Sequence, residues 1–231
     1  MSLTDIESGI STPAAATYAE NRSSLYHSPR RQFGNATPLG LFAFASSVLI
    51  GSLYNLRVKG VMHGNAMIGH SLFCGGLAQI LAGMWQFACG NTPGGTIATL
   101  YGTYNMSYAY IFIPSSGILA AYTDPSEFGA AVGTFVLAWA LIAFFLLIGQ
   151  LRTNFCTVFM GSVNVMSFSF LSASYFHPER TGLLRTSGSL GLIVAFFAFY
   201  IGLSELLRAD KTHFIRLPLG VFGGKRASKT S

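Results

Sequence analysis

The sequence has few charged residues, which make up only 10% of its 231 residues. In soluble globular domains, charged residues account for about a quarter of the chain. Hydrophobic residues make up 51%, and the mean hydropathy is +0.50. These values exclude an ordinary soluble domain and indicate a polytopic membrane protein. The net charge of +6 does not indicate a nucleic-acid partner, because the lysines and arginines lie in tails and loops, where they contact anionic lipid.

Cysteine is also scarce, and its pattern excludes several kinds of site. Cys74, Cys89 and Cys156 lie in or at the ends of apolar runs, without a CxxC or a Cys/His cluster. We therefore expect no disulfide framework, no metal site and no cofactor. The three side chains are expected to pack as small apolar residues.

Catalytic motifs are missing as well. The sequence contains no HExxH, no GxSxG and no P-loop. It therefore predicts neither an enzyme nor an ATP-driven pump. The first 34 residues contain no apolar segment of the kind found in a cleavable signal peptide. We expect the first apolar helix to direct membrane insertion.

What the sequence does contain is a series of long apolar runs, each of which predicts a membrane helix. The predicted helices are Pro38–Asn55, Met67–Cys89, Thr96–Ala121, Phe128–Leu151, Asn154–Phe176 and Ser187–Leu207. The fold class is thus an all-α membrane protein with six transmembrane helices over residues 35–208. The third run is longer than a span needs, which leaves room for a short half-helix or a re-entrant turn at its start.

Two polar tails flank the predicted transmembrane region. Residues 1–34 are rich in Ser, Thr, Ala and Arg and are predicted to be disordered, while residues 209–231 form a basic tail. With six spans, both tails lie on one side of the membrane, together with ten of the 14 lysines and arginines. The positive-inside rule then predicts that both termini are cytoplasmic. We expect the plasma membrane as the location.

Polar residues recur on one face of the second apolar run. Gln79, Gly83 and Gln86 are spaced i, i+4 and i+7, so they share a helix face. A glutamine facing hydrocarbon is costly, so these side chains either bond a neighbouring helix or line a wet path. Small residues on such faces let helices approach closely in lipid. The glycines predicted to pack helices in this way are Gly76, Gly83, Gly191 and Gly202.

The third run begins with hydroxyl-bearing residues at helical spacing. Tyr101, Tyr104 and Tyr108 share a face with Asn105. This pattern fits an aromatic belt at the membrane interface, and it equally fits the wall of a narrow polar constriction. In the fifth run, Asn164 lies near mid-span and needs a polar partner or water.

One segment resembles a family signature. The acetate uptake transporter family, which includes bacterial acetate–succinate permeases and fungal acetate and ammonia-export proteins, opens its first helix with Asn-Pro-x-Pro-Leu-Gly-Leu-x-x-Phe. Here the segment runs from Asn35 to Phe44, with Ala36 in place of the first proline. Its matching residues are Asn35, Pro38, Leu39, Gly40, Leu41 and Phe44. Further matching blocks are Gly75–Gln79, Ala82–Trp85, Gly90–Thr92, Tyr101–Gly102, Tyr200 and Glu205–Leu207. The long N-terminal tail resembles the fungal branch.

The resemblance implies a hexamer in which each protomer has its own path for a small monocarboxylate. It also implies a narrow gate, whose residues here are Phe44, Tyr101 and Asn164. The family has a leucine at the third position, so this gate is more polar, although Val163 is adjacent to the aligned position. The side chains that we expect to bond a carboxylate along the path are Gln79, Gln86, Asn105 and Ser47. Gln86 replaces a glutamate found in some relatives.

Three functions are compatible with these features. The first is a transporter or channel for acetate and similar short monocarboxylates, with or without proton coupling. The second is an ammonium or ammonia exporter, and the third is a membrane sensor that transports nothing. The expected partners are a small carboxylate, the lipid bilayer and further copies of the chain.

Overall fold

The computed structural model describes residues 34–61, 63–209, 215, 217–220 and 222. Six long helices and short 3₁₀ turns make up this part, which contains no strand. The helices are α1 (Thr37–Asn55), α2 (Asn65–Ala88), α3 (Thr92–Ile111), α4 (Pro125–Gln150), α5 (Phe155–Phe176) and α6 (Thr181–Ala209). The predicted tail over residues 1–34 lies outside the described residues, except for Gly34.

Five of the helices are long and apolar enough to cross a membrane: α1, α2, α4, α5 and α6. This agrees with an integral membrane protein. Helix α3 is 20 residues long but contains four tyrosines and Asn105, so its composition alone does not mark it as a span. The count of six spans and the cytoplasmic position of both termini stay predictions.

Helix α3 differs from its predicted bounds at both ends. It begins at Thr92 and is one continuous helix, without a half-helix or a re-entrant turn at its start. The side chain of Asn91 accepts a hydrogen bond from the Gly94 amide at 3.1 Å, and Pro93 fits the first turn. The helix ends at Ile111, because Pro114 begins a 3₁₀ turn that a longer α-helix could not contain.

Asparagine and aspartate also start the next two helices. Asp124 accepts a bond from the Ser126 amide at 2.8 Å at the start of α4. Asn154 accepts one from the Thr157 amide at 2.9 Å at the start of α5. Such caps satisfy amides that have no partner within the helix. Helix α6 begins at Thr181, six residues before the predicted start.

The helices pack as neighbouring pairs: α2 with α3, α1 with α6, and α4 and α6 with α5. Glycines lie at the closest approaches. A Cβ at Gly83 would lie 2.7 Å from the Thr99 amide nitrogen, and one at Gly202 would lie 3.2 Å from Leu41 Cβ. A Cβ at Gly76 would overlap Met106, and one at Gly191 would overlap Ser52. At Gly83 a larger residue would meet the backbone of α3 and force the two helices apart, whereas at Gly202 the neighbouring side chains would have to move by a few tenths of an ångström.

Helix α2 contains one π-helical turn, Phe73–Ala78, within an otherwise α-helical segment. Such a turn adds a residue and reorients the side chains around it. A Cβ at Gly75 would overlap Ser47 Oγ and lie 3.0 Å from Asn105 Cγ. The turn thus brings the α2 backbone against polar side chains of α1 and α3.

Part of the predicted basic tail packs on the bundle. The carbonyl oxygen of Gly220 accepts a bond from the Phe155 amide at 2.8 Å, and that of Leu219 accepts one from the Cys156 amide at 3.2 Å. From α6, the Tyr200 hydroxyl donates to the Pro218 carbonyl at 2.9 Å. The Leu219 side chain is buried in the core. We call Leu217–Gly220 the strap, because it connects the start of α5 to the end of α6.

Candidate functional site

A cavity of about 600 Å³ is lined by residues of all six helices, and its deepest part lies among α1, α3 and α5. Its outer end, or mouth, lies at the end of the bundle where α1 ends, α4 begins and α5 connects to α6. The lining residues at this mouth include Asn55, Arg57, Pro125, Pro178, Arg180 and Arg185. From there the cavity extends into the bundle as far as Phe44 and Tyr101.

Three aromatic rings close the inner end of the cavity. The ring centroids of Phe44 and Tyr101 are 5.0 Å apart, and the Tyr101 ring is parallel to that of Phe168 at 6.4 Å. All three side chains are buried and line the cavity. They come from α1, α3 and α5, so that rings from three helices meet at one level. We call this group, together with Asn164, the collar.

Asn164 connects α5 to the collar by a hydrogen bond. Its side-chain amide donates to the Tyr101 hydroxyl oxygen at 2.9 Å, and the two residues are 5% and 6% exposed. Tyr101 accepts in this bond, so its own hydroxyl proton is available to a further acceptor. Val163 is buried but does not line the cavity, whereas Asn164 does. The structure therefore brings together Phe44, Tyr101 and Asn164, which the sequence analysis had assigned to one gate.

Two further predicted residues line the cavity, but their own helices already use part of their bonding capacity. Ser47 donates its hydroxyl proton to the Ala43 carbonyl at 2.9 Å. Asn105 donates one amide hydrogen to the Tyr101 carbonyl at 2.9 Å. Ser47 can therefore offer a solute only an acceptor, while Asn105 keeps one donor hydrogen and its carbonyl oxygen.

The two predicted glutamines do not line the cavity. Gln86 lies at the opposite end of the bundle, where its carbonyl oxygen accepts a bond from the Asn91 side chain at 2.8 Å. It thus links the end of α2 to the start of α3. Gln79 is 2% exposed, and its Oε1 has no partner in the described part of the chain. Their helix face is directed toward α3 and α1 rather than toward the cavity, as the contacts of Gly83 and Gly40 show.

The family motif forms the start of α1. The Asn35 side chain accepts a bond from the Thr37 amide at 3.0 Å, and Ala36 occupies the N-cap position. A Cβ at Gly40 would meet Ala82 and Ala98 at ordinary contact distances. Of the motif's leucines, Leu39 is exposed, while Leu41 packs on the core. These residues position α1 against α2 and α3, and with it Phe44.

Tyr104 and Tyr108 also line the cavity, in line with one of the two interpretations of the α3 face, whereas Phe168 and Tyr175 of α5 were not expected from the sequence. The hydroxyls of Tyr108 and Tyr175 bond each other at 2.5 Å across α3 and α5, and the Tyr104 ring lies 5.0 Å from Phe168 at a nearly right angle. Asn164, Phe168 and Tyr175 are spaced i, i+4 and i+11, so helical spacing could have revealed this face of α5. It was missed because aromatic residues at that spacing equally indicate a lipid-facing surface.

Comparison with known proteins gives a consistent result. The model of the GPR1/FUN34/yaaH family matches residues 18–221. Ammonia transport outward protein 2 of Saccharomyces cerevisiae is 38% identical over 194 residues, which cover 84% of this chain and 68% of that protein. Acetate permease A of Emericella nidulans is 29% identical over 226 residues, or 91% and 76% of the two chains.

A solved structure of the bacterial acetate channel SatP is also similar. Its TM-score is 0.71 at 25% sequence identity, and the match covers 82% of this chain and 100% of the channel chain. The all-helical fold described above therefore matches the fold of that channel.

Proposed function

The chain belongs to the GPR1/FUN34/yaaH family, which confirms the resemblance found in its sequence, and we propose that it conducts acetate and similar short monocarboxylates across a membrane. The observation that supports this most directly is the collar at the inner end of the cavity. It combines closely packed aromatic rings with a free hydroxyl proton on Tyr101 and the amide of Asn164. These groups suit transport rather than catalysis.

The collar would act as the gate of the path. Its closely packed aromatic rings would disfavour hydrated ions, while its neutral donors could replace part of the hydration shell of a carboxylate. A site that conducts must bind its solute weakly enough to release it. Neutral donors meet this condition better than a buried lysine or arginine, because a fully desolvated ion pair is hard to separate.

In this proposal α3 is the sixth span, although it is the most polar helix. Tyr101, Tyr104, Asn105 and Tyr108 line the cavity, so these polar groups do not face lipid. Tyr110, the residue before the last of the helix, is exposed. With six spans and both termini in the cytoplasm, the cavity mouth opens on the external side. The plasma membrane and a homohexamer belong to the same proposal. The mass of the protein–detergent complex, measured by light scattering, tests the assembly.

Ammonia export is the second candidate, because the relative that is 38% identical bears that name. The cavity favours the carboxylate, since three arginines line its mouth and no acidic residue lines any described part of it. Competition between labelled acetate and methylammonium in proteoliposomes separates the two candidates. A sensor that transports nothing would give no flux of either solute.

The direct test is the flux of labelled acetate into proteoliposomes at two pH values. We expect saturable acetate uptake by the natural protein and an altered rate in Phe44→Ala and Tyr101→Ala, because either change removes a ring from the collar. Phe144→Ala is the matched control, since this exposed α4 side chain does not line the cavity. Unchanged uptake in both collar variants, with assembly intact, would contradict the gate assignment. Absence of acetate flux would contradict the proposed function itself.

A further inference from the structure

The mouth of the cavity has a distinctive charge distribution. Arg57 follows the end of α1, Arg180 precedes α6, and Arg185 is the fifth residue of α6. All three line the cavity. Among the described residues the lining contains no aspartate, glutamate, lysine or histidine. Every charged group in the lining is therefore positive, and all of them lie at one end.

Carboxylates nearby only partly offset these charges. Glu179 lies 3.7 Å from the Arg180 guanidinium and 3.4 Å from His177. Asp124 accepts bonds from the side chain and the amide of Ser126, which hold the pKa of its carboxyl below the ordinary value. In the described part of the chain, Arg57 and Arg185 have no carboxylate within 4.0 Å. The mouth therefore has at least two uncompensated positive charges.

The backbone at Arg57 is unusual for a residue with a side chain. Its φ is +54°, and that of Lys59 is +56°, so both are in the left-handed region. This conformation is unfavourable for an L-residue, because it places Cβ too close to the following carbonyl oxygen. Strained residues of this kind persist where the surrounding structure fixes them, often at functional sites. The turn keeps the Arg57 side chain beside the mouth.

We propose that Arg57, Arg180 and Arg185 form a cationic rim that concentrates carboxylate anions at the mouth and disfavours ammonium. The inference depends on the proposed transport of a carboxylate through this cavity, and it assigns the selection by charge to residues outside the collar. Guanidinium groups in water attract anions without binding them tightly, because solvent and salt screen the attraction.

The size of the effect follows from Coulomb's law. Two unit charges about 8 Å from an anion in water enrich it about fourfold at roughly 10 mM salt and about twofold at roughly 150 mM salt. The low-dielectric walls of a cavity focus the field and increase this enrichment. The apparent affinity for acetate should therefore depend on ionic strength, mainly through these residues.

The test measures the concentration dependence of acetate uptake in proteoliposomes of zwitterionic lipid. External salt is varied from about 10 to about 150 mM, with sucrose balancing the osmotic pressure. The neutral variant combines Arg57→Asn, Arg180→Gln and Arg185→Gln. Asparagine is chosen at position 57 because it tolerates a left-handed backbone. Arg152→Gln is the matched control, because this exposed arginine follows α4 at the other end of the bundle and does not line the cavity.

We expect the apparent KM of the natural protein for acetate to rise about twofold over this salt range. At low salt, the KM of the neutral variant should be about fourfold higher than that of the natural protein, and it should not change with salt. Replacing Arg57 and Arg185 by lysine should preserve the natural behaviour, because a point charge suffices. Equal salt dependence in the natural and neutral proteins would overturn the rim while leaving acetate transport intact. If the neutral variant does not assemble, the natural protein decides alone: an acetate KM independent of salt also overturns the proposal.

Discussion

Replacing Asn164 by leucine tests whether the hydrogen bond within the collar holds the gate closed. In the structure, which we take as the closed arrangement of the proposed gate, the Asn164 amide donates to the Tyr101 hydroxyl at 2.9 Å, and both residues are buried. If the path opens by moving α5 away from α3, this bond must break. Leucine has the same branching and number of side-chain heavy atoms but cannot make the bond, so Asn164→Leu should raise the energy of the closed state relative to the open one.

The magnitude follows from the burial of the pair. A buried hydrogen bond between neutral groups contributes about 0.5–1.5 kcal/mol net. Because 1.4 kcal/mol corresponds to about a factor of ten, the open fraction should rise about two- to twelvefold while the closed state predominates. The prediction is a matching increase in the initial rate of acetate uptake at low acetate concentration.

A double-mutant cycle with Tyr101→Phe makes the prediction specific. Tyr101→Phe removes the same hydrogen bond from the other side, so the combined variant should gain little beyond either single variant. Met166→Leu, on the exposed side of α5, is the control for a leucine in this helix. The reasoning is refuted if the two single effects multiply in the double variant, or if Asn164→Leu lowers thermal stability without changing the rate of uptake.

Two further predictions concern the packing that positions the cavity. Gly83→Ala should reduce stability by about 1–3 kcal/mol and so lower the midpoint of thermal unfolding in detergent, because the added Cβ would lie 2.7 and 2.9 Å from backbone atoms of α3. Gly69→Ala is the control in the same helix, since a Cβ there would have nothing within 4 Å. Equal midpoints for the two variants would contradict close packing at Gly83. Leu219→Ala should reduce stability by about 2–5 kcal/mol and make the strap accessible to protease, because the Leu219 side chain is only 7% exposed. Phe222→Ala, at an exposed site, should change neither stability nor protease resistance. If the strap of Leu219→Ala resists protease, this side chain does not hold the strap in place.

Hydropathy was sufficient to predict most of the fold. Helices α1, α2, α4, α5 and α6 are apolar over a membrane thickness, and their existence follows from composition and length. The bounds of α3 were wrong because they depend on local interactions. Asn91 caps the helix earlier than its apolar residues begin, and Pro114 ends it while the sequence is still apolar. The spacing of apolar residues reveals neither the asparagine cap nor the effect of the proline.

Other features depend on contacts between distant residues and could not be predicted from the pattern alone. The strap is a short apolar segment within a basic tail, and only its bonds to Phe155 and Cys156 distinguish it from the rest of that tail. The π-helical turn at Phe73–Ala78 has no periodic signature. The grouping of Phe44, Tyr101 and Asn164 came from resemblance to a family, since no spacing relates residues on three different helices.

In the proposed path, the positions of the charges would allow an anion to be attracted and still released. Lysine and arginine counts served only to orient the chain in the sequence analysis, yet the structure brings three of those arginines to the cavity mouth. Positive charge in solvent acts over about 8 Å at physiological salt, so it can draw a carboxylate toward the mouth from outside. The same charge inside the collar would be desolvated and would bind the anion too tightly to conduct it. At the collar, the hydroxyl proton of Tyr101 and the amide of Asn164 would provide short-range bonds that water could replace on the far side. The proposal therefore assigns selection by charge to the arginines and passage through the narrow segment to the collar. A change in the arginines should alter the apparent affinity for acetate, whereas a change in Asn164 should alter the rate of acetate uptake.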